Sequence, residues 1–574
     1  MAILTPNFLS HKHITKWIKR PSKLLIPCTL FAALTNVASA QTFELPEILS
    51  NEKTQQANYL PDYSYAGYHH GEKIPDTANH KIVKVSDHNI IANDGLDDSK
   101  ALIKLLDSIR ADKSPTIIQF DSGRYIISSI IYFDRDNLVI RGKGTGEKGT
   151  EFYFPRPLIY APKAPELVEL NEYLVELDKI QREKANNINI PFTEWAWSGG
   201  YFWTRVKDVR VKKYLDKYDT PMQSVAKPLQ GKQGEKSFTV DNVNKLKVGD
   251  IVELQWFNGT GDVSDQILKD LYAEKVDNIG SHHWNYNNLT IARQQSEIVK
   301  ITGKTVHFRS PLLHDITDKH TVNLAPWAHL SEIGFEHFRM TFAFAERVAH
   351  HVEQGFNGIY LTRLYNGWID DVHITNADSG VLLEEVANLS IKNVVTDGTK
   401  FAHYSVQMGG VHNVLTENLH VKNVVEHPLS FNTFSTKSVY VNARVDQRPF
   451  LDQHSGVNQQ NLFDDITVNV KLGDQRAYNL FAGGGAPYWK PSHAAYNSFW
   501  NIQVHFENGH ESSEAVLLNG MKDGPLARIV GVSANLPIKV EYGPDPYIEG
   551  ENIYYRGVPS LYYYQLQKRL AAKQ

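Results

Sequence analysis

Short apolar segments recur through the second half of the chain, and no amphipathic helix separates them. They are Val372–Ile374, Leu389–Ile391, Leu419–Val421, Val439–Val441, Ile466–Val468 and Ile502–Val504. Strands in βαβ units are joined by crossover helices, so this spacing disfavours that architecture and favours coils stacked on one another. The pattern predicts an all-β solenoid, and a hydrophobic content of 42% is sufficient for its core.

Asparagine follows several of these segments. The positions are Asn376, Asn393, Asn423, Asn442 and Asn469. Asparagine accepts left-handed turn geometry, and stacked asparagines can hydrogen-bond between coils. We interpret this series as structural.

A further pattern lies near residue 100. Asn93–Ser99 precedes an amphipathic helix that Asp98 or Ser99 can cap, and Gly123–Tyr125 and Leu138–Gly142 follow as short strands. These motifs resemble the first coils of pectin-lyase-like proteins, which include pectate lyases, rhamnogalacturonases, uronan epimerases and phage tailspikes. The resemblance implies a right-handed parallel β-helix with a sugar-binding groove along one face.

The order of these patterns divides the chain into six parts. We expect a signal peptide at residues 1–40, a tyrosine-rich leader at 41–80, and a cap helix with the first coils at 81–154. An inserted helix and small β-rich unit at 155–315 then precede the main β-helix at 316–535 and a C-terminal cap at 536–574. A cap is required because an open coil end would expose edge strands.

The N-terminal part has the features of an export signal. Lysines precede the apolar run Leu24–Leu34, which is too short to span a bilayer, and Val37–Ala40 is a small-residue cleavage site. The single cysteine, Cys28, lies inside this signal, so we expect a mature chain without disulfides or cysteine-ligated metals. We therefore predict a secreted or periplasmic protein, cleaved near Ala40.

Asn376-Ala377-Asp378-Ser379-Gly380 resembles the Asn-x-Asp-Gly element of polygalacturonases, in which an aspartate takes part in hydrolysis. An inverting hydrolase needs an acid and a base about 6.5–9.5 Å apart. Asp378 with Glu384 or Asp452 is therefore one catalytic hypothesis. The same aspartate could instead cap the turn or, with neighbouring carboxylates, bind calcium.

A second set of polar residues lies on the following coils. They are His403, Tyr404, Glu426, His427, Lys437, Arg444, Arg448, Asp452, Gln453 and His454. β-Elimination of a uronic acid requires a cation that neutralises the C5 carboxylate, a base that removes the C5 proton and an acid for the leaving oxygen. The candidates, in that order, are Arg448 and Lys437, His454 and His403, and Tyr404 and His427. Asn376, His427 and Asp452 are candidate substrate contacts. The alternative is that these histidines only hydrogen-bond neighbouring coils.

The motif His350-His351-Val352-Glu353 could supply metal ligands. Adjacent residues on a strand point to opposite faces, so we expect only one of these histidines to face the groove.

A glycine-rich turn, Gly483–Gly485, precedes Tyr488, Trp489 and His493. It lacks the Gly-Lys-Ser/Thr ending of a phosphate loop. We expect it to let a sugar approach and stack, with a tight coil corner as the alternative. Trp197 is predicted to wall one end of the groove.

These observations favour a lyase that cleaves a uronic-acid-containing polysaccharide. The alternatives are a glycoside hydrolase on an acidic or sulfated polysaccharide and a non-catalytic carbohydrate-binding β-helix. A formal net charge of −4 over 574 residues argues against a nucleic-acid partner. We expect a monomer without membrane insertion and no certain cofactor, calcium being the candidate.

Overall fold

The computed structural model describes residues 45–162, 164–181, 191–211, 221–274, 289–485 and 490–573. They belong to one compact unit, Phe43–Gln574, and the predicted signal peptide lies outside them. Two parallel sheets face each other across the main hydrophobic core, and the chain alternates between them as it forms successive coils.

The larger sheet has 17 strands within the described ranges. They are Lys81–Lys84, Thr116–Gln119, Gly123–Ile126, Leu138–Arg141, Thr150–Phe154, Ile333–Phe342, Trp368–Thr375, Ser390–Asp397, Leu415–Glu417, His420–Val421, Val439–Val441, Arg444–Val445, Leu462–Asp464, Thr467–Val470, Ser498–Phe506, Arg528–Ala534 and Tyr547–Glu551.

The smaller sheet carries the candidate site. Its strands are Ile131–Phe133, Phe202–Thr204, Asn357–Thr362, Ser379–Glu384, Ala402–Gly409, Val425–Asn432 and Leu451–His454. Shorter parallel pairings add Leu330–Ser331 with Leu364–Tyr365, and Ala477–Tyr478 with Val516–Met521 and Ile538–Tyr542.

Equivalent positions of successive coils form continuous apolar rows. Ile140, Phe335, Ile369 and Ile391 are register partners on neighbouring strands, and all four are buried. Each row removes apolar surface from water along the whole stack, which is the main driving force for folding. The parallel pairing confirms the predicted all-β parallel β-helix, the fold that the resemblance to pectin-lyase-like proteins implies.

An asparagine ladder crosses the larger sheet, within or between its strands. Asn442 donates to Asn418 over 2.6 Å, Asn418 to Asn393 over 3.0 Å, and Asn393 to Asp370 over 2.8 Å. The three asparagines have φ between 52° and 58°, the left-handed geometry that asparagine tolerates. The structural interpretation is confirmed for Asn393 and Asn442, and the ladder also includes Asn418.

An antiparallel sheet interrupts the coils. Its strands are Pro228–Gly231, Ser237–Val240, Ile251–Phe257, Thr290–Thr302, Thr305–Phe308 and Thr321–Pro326. It has its own hydrophobic core, into which Phe434 and Val457 of the coils also pack. A buried ion pair between Arg293 and Glu385 joins this sheet to the β-helix.

Helices are few among the described residues. The α-helices are Glu47–Ser50, Glu52–Ala57, Ser99–Ile109, Pro165–Gln181, Gln266–Tyr272 and Leu561–Ala571. Short 3-10 turns lie at Tyr68–Gly71, Val85–His88, Leu158–Tyr160, Glu194–Ala196 and Gly261–Val263. Asp98 occupies the N-cap position of Ser99–Ile109, but its carboxylate accepts from the Ile126 amide at 3.0 Å and so joins the helix to a coil. Within the described ranges, no helix has the length and apolar character that a membrane span requires.

The leader, residues 45–80, lies along the outside of the larger sheet. The Glu47 amide donates to Glu549 at 2.6 Å, the Tyr63 hydroxyl to Ser498 at 2.7 Å, and the Tyr68 hydroxyl to Glu332 at 2.6 Å. The leader therefore contacts late coils first and early coils last.

The helix Leu561–Ala571 packs beside the leader. Leu561 and Tyr562 share an apolar cluster with Tyr63 and with coil residues such as Val439 and Trp500. Arg569 donates to the carbonyl oxygens of Ser64 and His70 at 2.7 and 2.6 Å. This helix thus covers the sides of several coils.

Candidate active site

Five histidines from one loop and three successive strands lie together at the smaller sheet, and we call them the histidine cluster. They are His350, His351, His403, His427 and His454. Ring centroids are 4.7 Å apart for His350 and His403, 5.4 Å for His403 and His427, and 4.5 Å for His427 and His454. The structure therefore brings together three of the predicted site residues, His403, His427 and His454.

His350 and His351 both belong to this cluster, contrary to the expectation that only one could face it. The strict alternation of side chains holds only in extended strands. These two residues lie in the loop between Phe342 and Asn357, and His351 has φ of 72°. Their rings consequently stack, with centroids 3.7 Å apart.

A buried carboxylate lies behind the first half of the cluster. Glu353 Oε1 is 3.2 Å from His403 Nδ1, and both side chains are closed to solvent. The same oxygen accepts from the His351 amide at 3.3 Å. Glu353 thereby contacts the ring of His403 and hydrogen-bonds the loop that carries His351.

A second buried carboxylate lies behind the other half. Asp452 Oδ2 is 3.1 Å from Nδ1 of His427 and 3.1 Å from Nδ1 of His454. It also accepts from the Ser430 hydroxyl at 2.7 Å. One carboxylate therefore contacts two imidazoles and is hydrogen-bonded to one of them, His454.

The surroundings hold most of these imidazoles neutral. Burial and the neighbouring His427 lower the pKa of His350 to about 4, and burial and the adjacent His350 lower the pKa of His351 to about 3. Burial likewise lowers the pKa of His403 and of His427. Neutral imidazoles can accept a proton or bind a metal ion.

The two carboxylates differ in their proton affinity. Burial raises the pKa of Glu353 to about 7. Burial also acts to raise the pKa of Asp452, but the attraction of His427 and His454 outweighs it and holds that pKa well below its usual value. Asp452 is therefore ionised at neutral pH.

Tyr404 lies between the two halves of the cluster. Its ring stacks on His403 at 4.2 Å and on His427 at 5.0 Å. Its hydroxyl accepts from Asn432 Nδ2 at 3.3 Å, and burial raises its pKa. Tyr404 is thus a protonated phenol held in contact with two neutral imidazoles.

Two arginines border the cluster and share one carboxylate. Glu426 Oε2 is 3.1 Å from Arg347 Nη1 and 3.2 Å from Arg448 Nη1. The Arg448 side chain is 47% exposed, whereas Arg347 is more enclosed and lies over the Phe401 ring. Arg448 is therefore the arginine that a ligand from solution can reach more easily.

The Asp378 carboxylate has a partner on each of its oxygens. Its carboxylate accepts from the amides of Gly355 and Phe356 at 3.0 and 2.8 Å and lies 2.6 Å from the buried Lys400 ammonium. Asn376 accepts from the Thr399 amide at 3.0 Å in the same turn. Both residues thus hold the loops that carry the cluster.

Glu384, one of the two carboxylates proposed as partners of Asp378, is remote from it. Glu384 ends the strand Ser379–Glu384, and a six-residue separation at about 3.3 Å per residue places the two backbones roughly 20 Å apart. Glu385 is paired with Arg293. The Asp378–Glu384 pair therefore does not meet the spacing that a hydrolase requires.

Lys437 is separated from the histidine cluster. It directly follows Thr436, which belongs to a row of turn residues joined from coil to coil by isolated β-bridges. The residue in the equivalent position of other coils is Asn388, Asn413 or Gln460, each with φ between 50° and 56°. Burial lowers the pKa of Lys437 to about 8, opposed by the charge of Asp62 in the leader. Lys437 thus occupies a corner of the coil, and Arg444 pairs with Asp446 on the larger sheet.

The remaining predicted substrate contacts are Trp197, His493, Tyr488 and Trp489. Trp197 lies 5.2 Å from the His351 ring and so borders the cluster. His493 is buried against the Ala494 carbonyl oxygen and the Tyr542 hydroxyl, and burial lowers its pKa to about 4. Tyr488 and Trp489 lie outside the described residues.

Sequence reasoning did not single out Arg347, Ser430 and Asn432. Each is brought to the site by the register of the coils or by the loop before Asn357. The position of Arg347 three residues before His350 is the one sequence signal that could have pointed to Arg347.

The chain matches no protein-family model and no curated protein. Among solved structures it is similar to the tailspike gp49 of Pseudomonas phage LKA1, with a TM-score of 0.42, 11% identity and coverage of 80% of this chain and 74% of that one.

Two further solved structures are similar at the same level. The Gp54 tailspike of Acinetobacter baumannii bacteriophage AP22, in complex with a capsular saccharide, gives a TM-score of 0.33, 12% identity and coverage of 82% and 69%. DFA-IIIase from Arthrobacter chlorophenolicus A6, in complex with DFA-III, gives a TM-score of 0.34 and 10% identity, and the match covers 82% of this chain and 86% of that one. At these values the similarities assign no chemistry to this chain, whose own strand pairing shows a parallel β-helix.

Proposed function

We propose that this chain is an exported polysaccharide lyase that cleaves a uronic-acid-containing polysaccharide by β-elimination at the histidine cluster. A base removes the C5 proton, the freed electron pair forms the C4–C5 double bond, and the C4–O bond breaks as an acid protonates the leaving oxygen. The observation that carries this proposal is the pair His427 and His454, each with Nδ1 3.1 Å from one buried, ionised carboxylate, Asp452.

His454 is the proposed base. Asp452 is ionised, so Nδ1 of His454 donates to it and Nε2 keeps the lone pair. The His454 side chain is partly exposed at the end of its strand, so a substrate proton can reach Nε2. The carboxylate also stabilises the imidazolium that forms when the proton is taken.

Tyr404 is the proposed acid, with His427 as the alternative. The phenol is protonated at neutral pH because burial raises its pKa. Its ring centroid is 6.4 Å from that of His454, and its side chain is buried, so its hydroxyl reaches a sugar held at His454 only if the neighbouring rings move aside. A protonated phenol suits the leaving oxygen, which gains negative charge as the C4–O bond breaks.

Arg448 is the proposed partner of the substrate carboxylate. It is half exposed and lies 5.9 Å from the Phe450 ring, which is itself 6.2 Å from His427. A guanidinium binds carboxylates with two parallel hydrogen bonds. Neutralising the uronate carboxylate stabilises the charge that develops when the C5 proton leaves.

The test is incubation of the purified protein with pectins, alginate, ulvan and glycosaminoglycans, each followed by ultraviolet absorbance and by a reducing-end assay. A lyase produces both signals because the new C4–C5 double bond is conjugated with the carboxylate. Reducing ends without new absorbance would refute β-elimination. Neither signal, together with measurable saccharide binding, would indicate a non-catalytic binding protein.

One observation favours hydrolysis as the second candidate. Glu353 has a pKa raised to about 7 by burial and Asp452 has a lowered pKa, and such a split is typical of an acid and base pair. Both carboxylates lie behind imidazoles and are closed to solvent, so we rank hydrolysis second.

A further inference from the structure

We infer that His350, His351 and His403 form a binding site for a divalent transition-metal ion of the zinc class. The inference rests on the geometry of the three rings and goes beyond the proposed lyase reaction, since an ion can bind here whether or not the chain cleaves a polysaccharide.

Ring nitrogens of the three histidines lie close together. One ring nitrogen from each histidine lies within 4.8 Å of the other two. His350 Nε2 and His403 Nε2 are 3.1 Å apart. Two nitrogens bound to one zinc ion at about 2.0–2.1 Å in tetrahedral geometry are themselves about 3.3 Å apart. The spacing between these two nitrogens therefore suits coordination of a common ion.

A carboxylate supports one of these ligands from behind. Glu353 Oε1 lies 3.2 Å from His403 Nδ1, on the opposite side of the ring from Nε2. Metal-binding histidines usually donate their other ring N–H to a carboxylate or a carbonyl, which sets the tautomer and raises the basicity of the ligand nitrogen. Glu353 also accepts from the His351 amide, so one carboxylate contacts two of the three ligand residues.

The site has an open side and a balanced charge. His403 is buried, whereas His350 and His351 are partly exposed, so an ion can enter and keep a position for water or a ligand. The nearby Arg347 guanidinium is paired with Glu426 at 3.1 Å and lies 3.7 Å from Glu353. Its charge is therefore compensated by carboxylates and does not exclude a cation.

A second group, His427, Asp452 and His454, is also close enough to share an ion. It is the more enclosed of the two groups, because His427 and Asp452 are both buried, and Asp452 Oδ2 already contacts Nδ1 of both histidines and accepts from Ser430. The backbone of Gly484 further packs against this group. The three-histidine group is therefore the better site.

Three neutral imidazoles with an open position select zinc, cobalt, nickel or copper over calcium, which prefers oxygen ligands. This choice departs from the calcium that the sequence suggested. If the proposed lyase reaction also holds, the open position of the ion is available to a carboxylate of the uronic acid.

The test uses full-length protein freed of metal with a chelator and then titrated with zinc by calorimetry and with cobalt by visible absorption. We expect one ion per chain at this site and the intense visible bands of low-coordinate cobalt. His350→Ala should weaken zinc binding at least about tenfold, and Glu353→Gln about 10–100-fold. His350 is partly exposed, so its loss should leave the fold intact, which the thermal unfolding midpoint verifies.

His505→Ala is the matched control, because His505 is exposed on the larger sheet and its removal should leave zinc binding unchanged. The inference is refuted if the wild-type protein binds no zinc, or if binding persists unchanged in both His350→Ala and His351→Ala. Loss of binding in His454→Ala alone would move the ion to the second group and also refute it. Zinc binding without ultraviolet-absorbing product would leave this inference standing and refute only the lyase proposal.

Discussion

Gly484 packs against His454 so closely that an added Cβ would lie 2.2 Å from Nδ1 of that imidazole and 2.9 Å from Oδ1 of Asp452. The glycine-rich turn was expected to admit a sugar. The close approach that its lack of a side chain allows is to the proposed base and to the carboxylate that orients it.

Gly484→Ala should therefore displace His454. We expect polysaccharide cleavage to fall by about 10²-fold or more, as for a misplaced base, with a smaller effect on the thermal unfolding midpoint. The matched control is Gly473→Ala, where an added Cβ meets nothing within 4 Å. Equal activities of the two variants would contradict the close contact.

His454→Ala removes the proposed base directly. The rate should fall by about 10²–10⁴-fold, measured as the initial rise in ultraviolet absorbance on the best substrate of the panel. Because the side chain is partly exposed, the unfolding midpoint should change little. Full activity in this variant would exclude His454 as the base.

Lys400→Met tests the structural role of Asp378. It leaves a buried carboxylate without its ammonium partner, which typically costs about 3–5 kcal/mol of unfolding free energy. Urea unfolding should show this loss, whereas Lys392→Met, which breaks the partly exposed pair with Glu417, should cost about 0–1 kcal/mol. Similar unfolding free energies for the two variants would argue against a structural Asp378.

Glu426 should make part of the stability depend on pH. Burial acts to raise its pKa, but hydrogen bonds from Arg448 and Arg347 outweigh burial and lower the pKa to about 2. The folded state therefore favours the ionised form. This contribution is present above the unfolded-state pKa of about 4.5 and is lost as the pH falls from there towards 2.

Glu426→Gln should accordingly destabilise the protein at pH 7 by about 1–3 kcal/mol. The difference from wild type should shrink as the pH approaches 2, as measured by urea unfolding at matched pH values. A difference that stays constant between neutral and acid pH would contradict the ion-pair origin of the shift.

The larger sheet was predictable from the sequence, because its strands carry apolar residues in short separated runs such as Val439–Val441. The smaller sheet was harder to recognise. Strands such as Ala402–Gly409 are wholly buried yet contain His403, Tyr404, Ser405 and Gln407, so polar residues interrupt the apolar pattern. Burial of these side chains depends on neighbouring coils, which no local window of sequence describes.

His403, His427 and His454 could be named from the sequence as one set on successive coils, but Arg347, Ser430, Asn432 and the contacts within the site could not. His427 and His454 were candidates as residue types. Their contact with one carboxylate follows from the register of the coils. That register is set by the lengths of the turns and by the β-bridges between turn residues of neighbouring coils. The same register places Lys437 at a coil corner equivalent to Asn413, although its position in sequence suggested a place in the groove.

The leader changes how the stack of coils can come apart. A solenoid held only by neighbour contacts can fray from either end, one repeat at a time. Here Tyr68 hydrogen-bonds Glu332, Glu47 hydrogen-bonds Glu549, and Arg569 fastens the last helix over the same segment. Detaching the final coil therefore also breaks the contacts that hold the earlier ones. The coils should consequently unfold as one cooperative unit, and the candidate site should keep its register until the whole molecule unfolds.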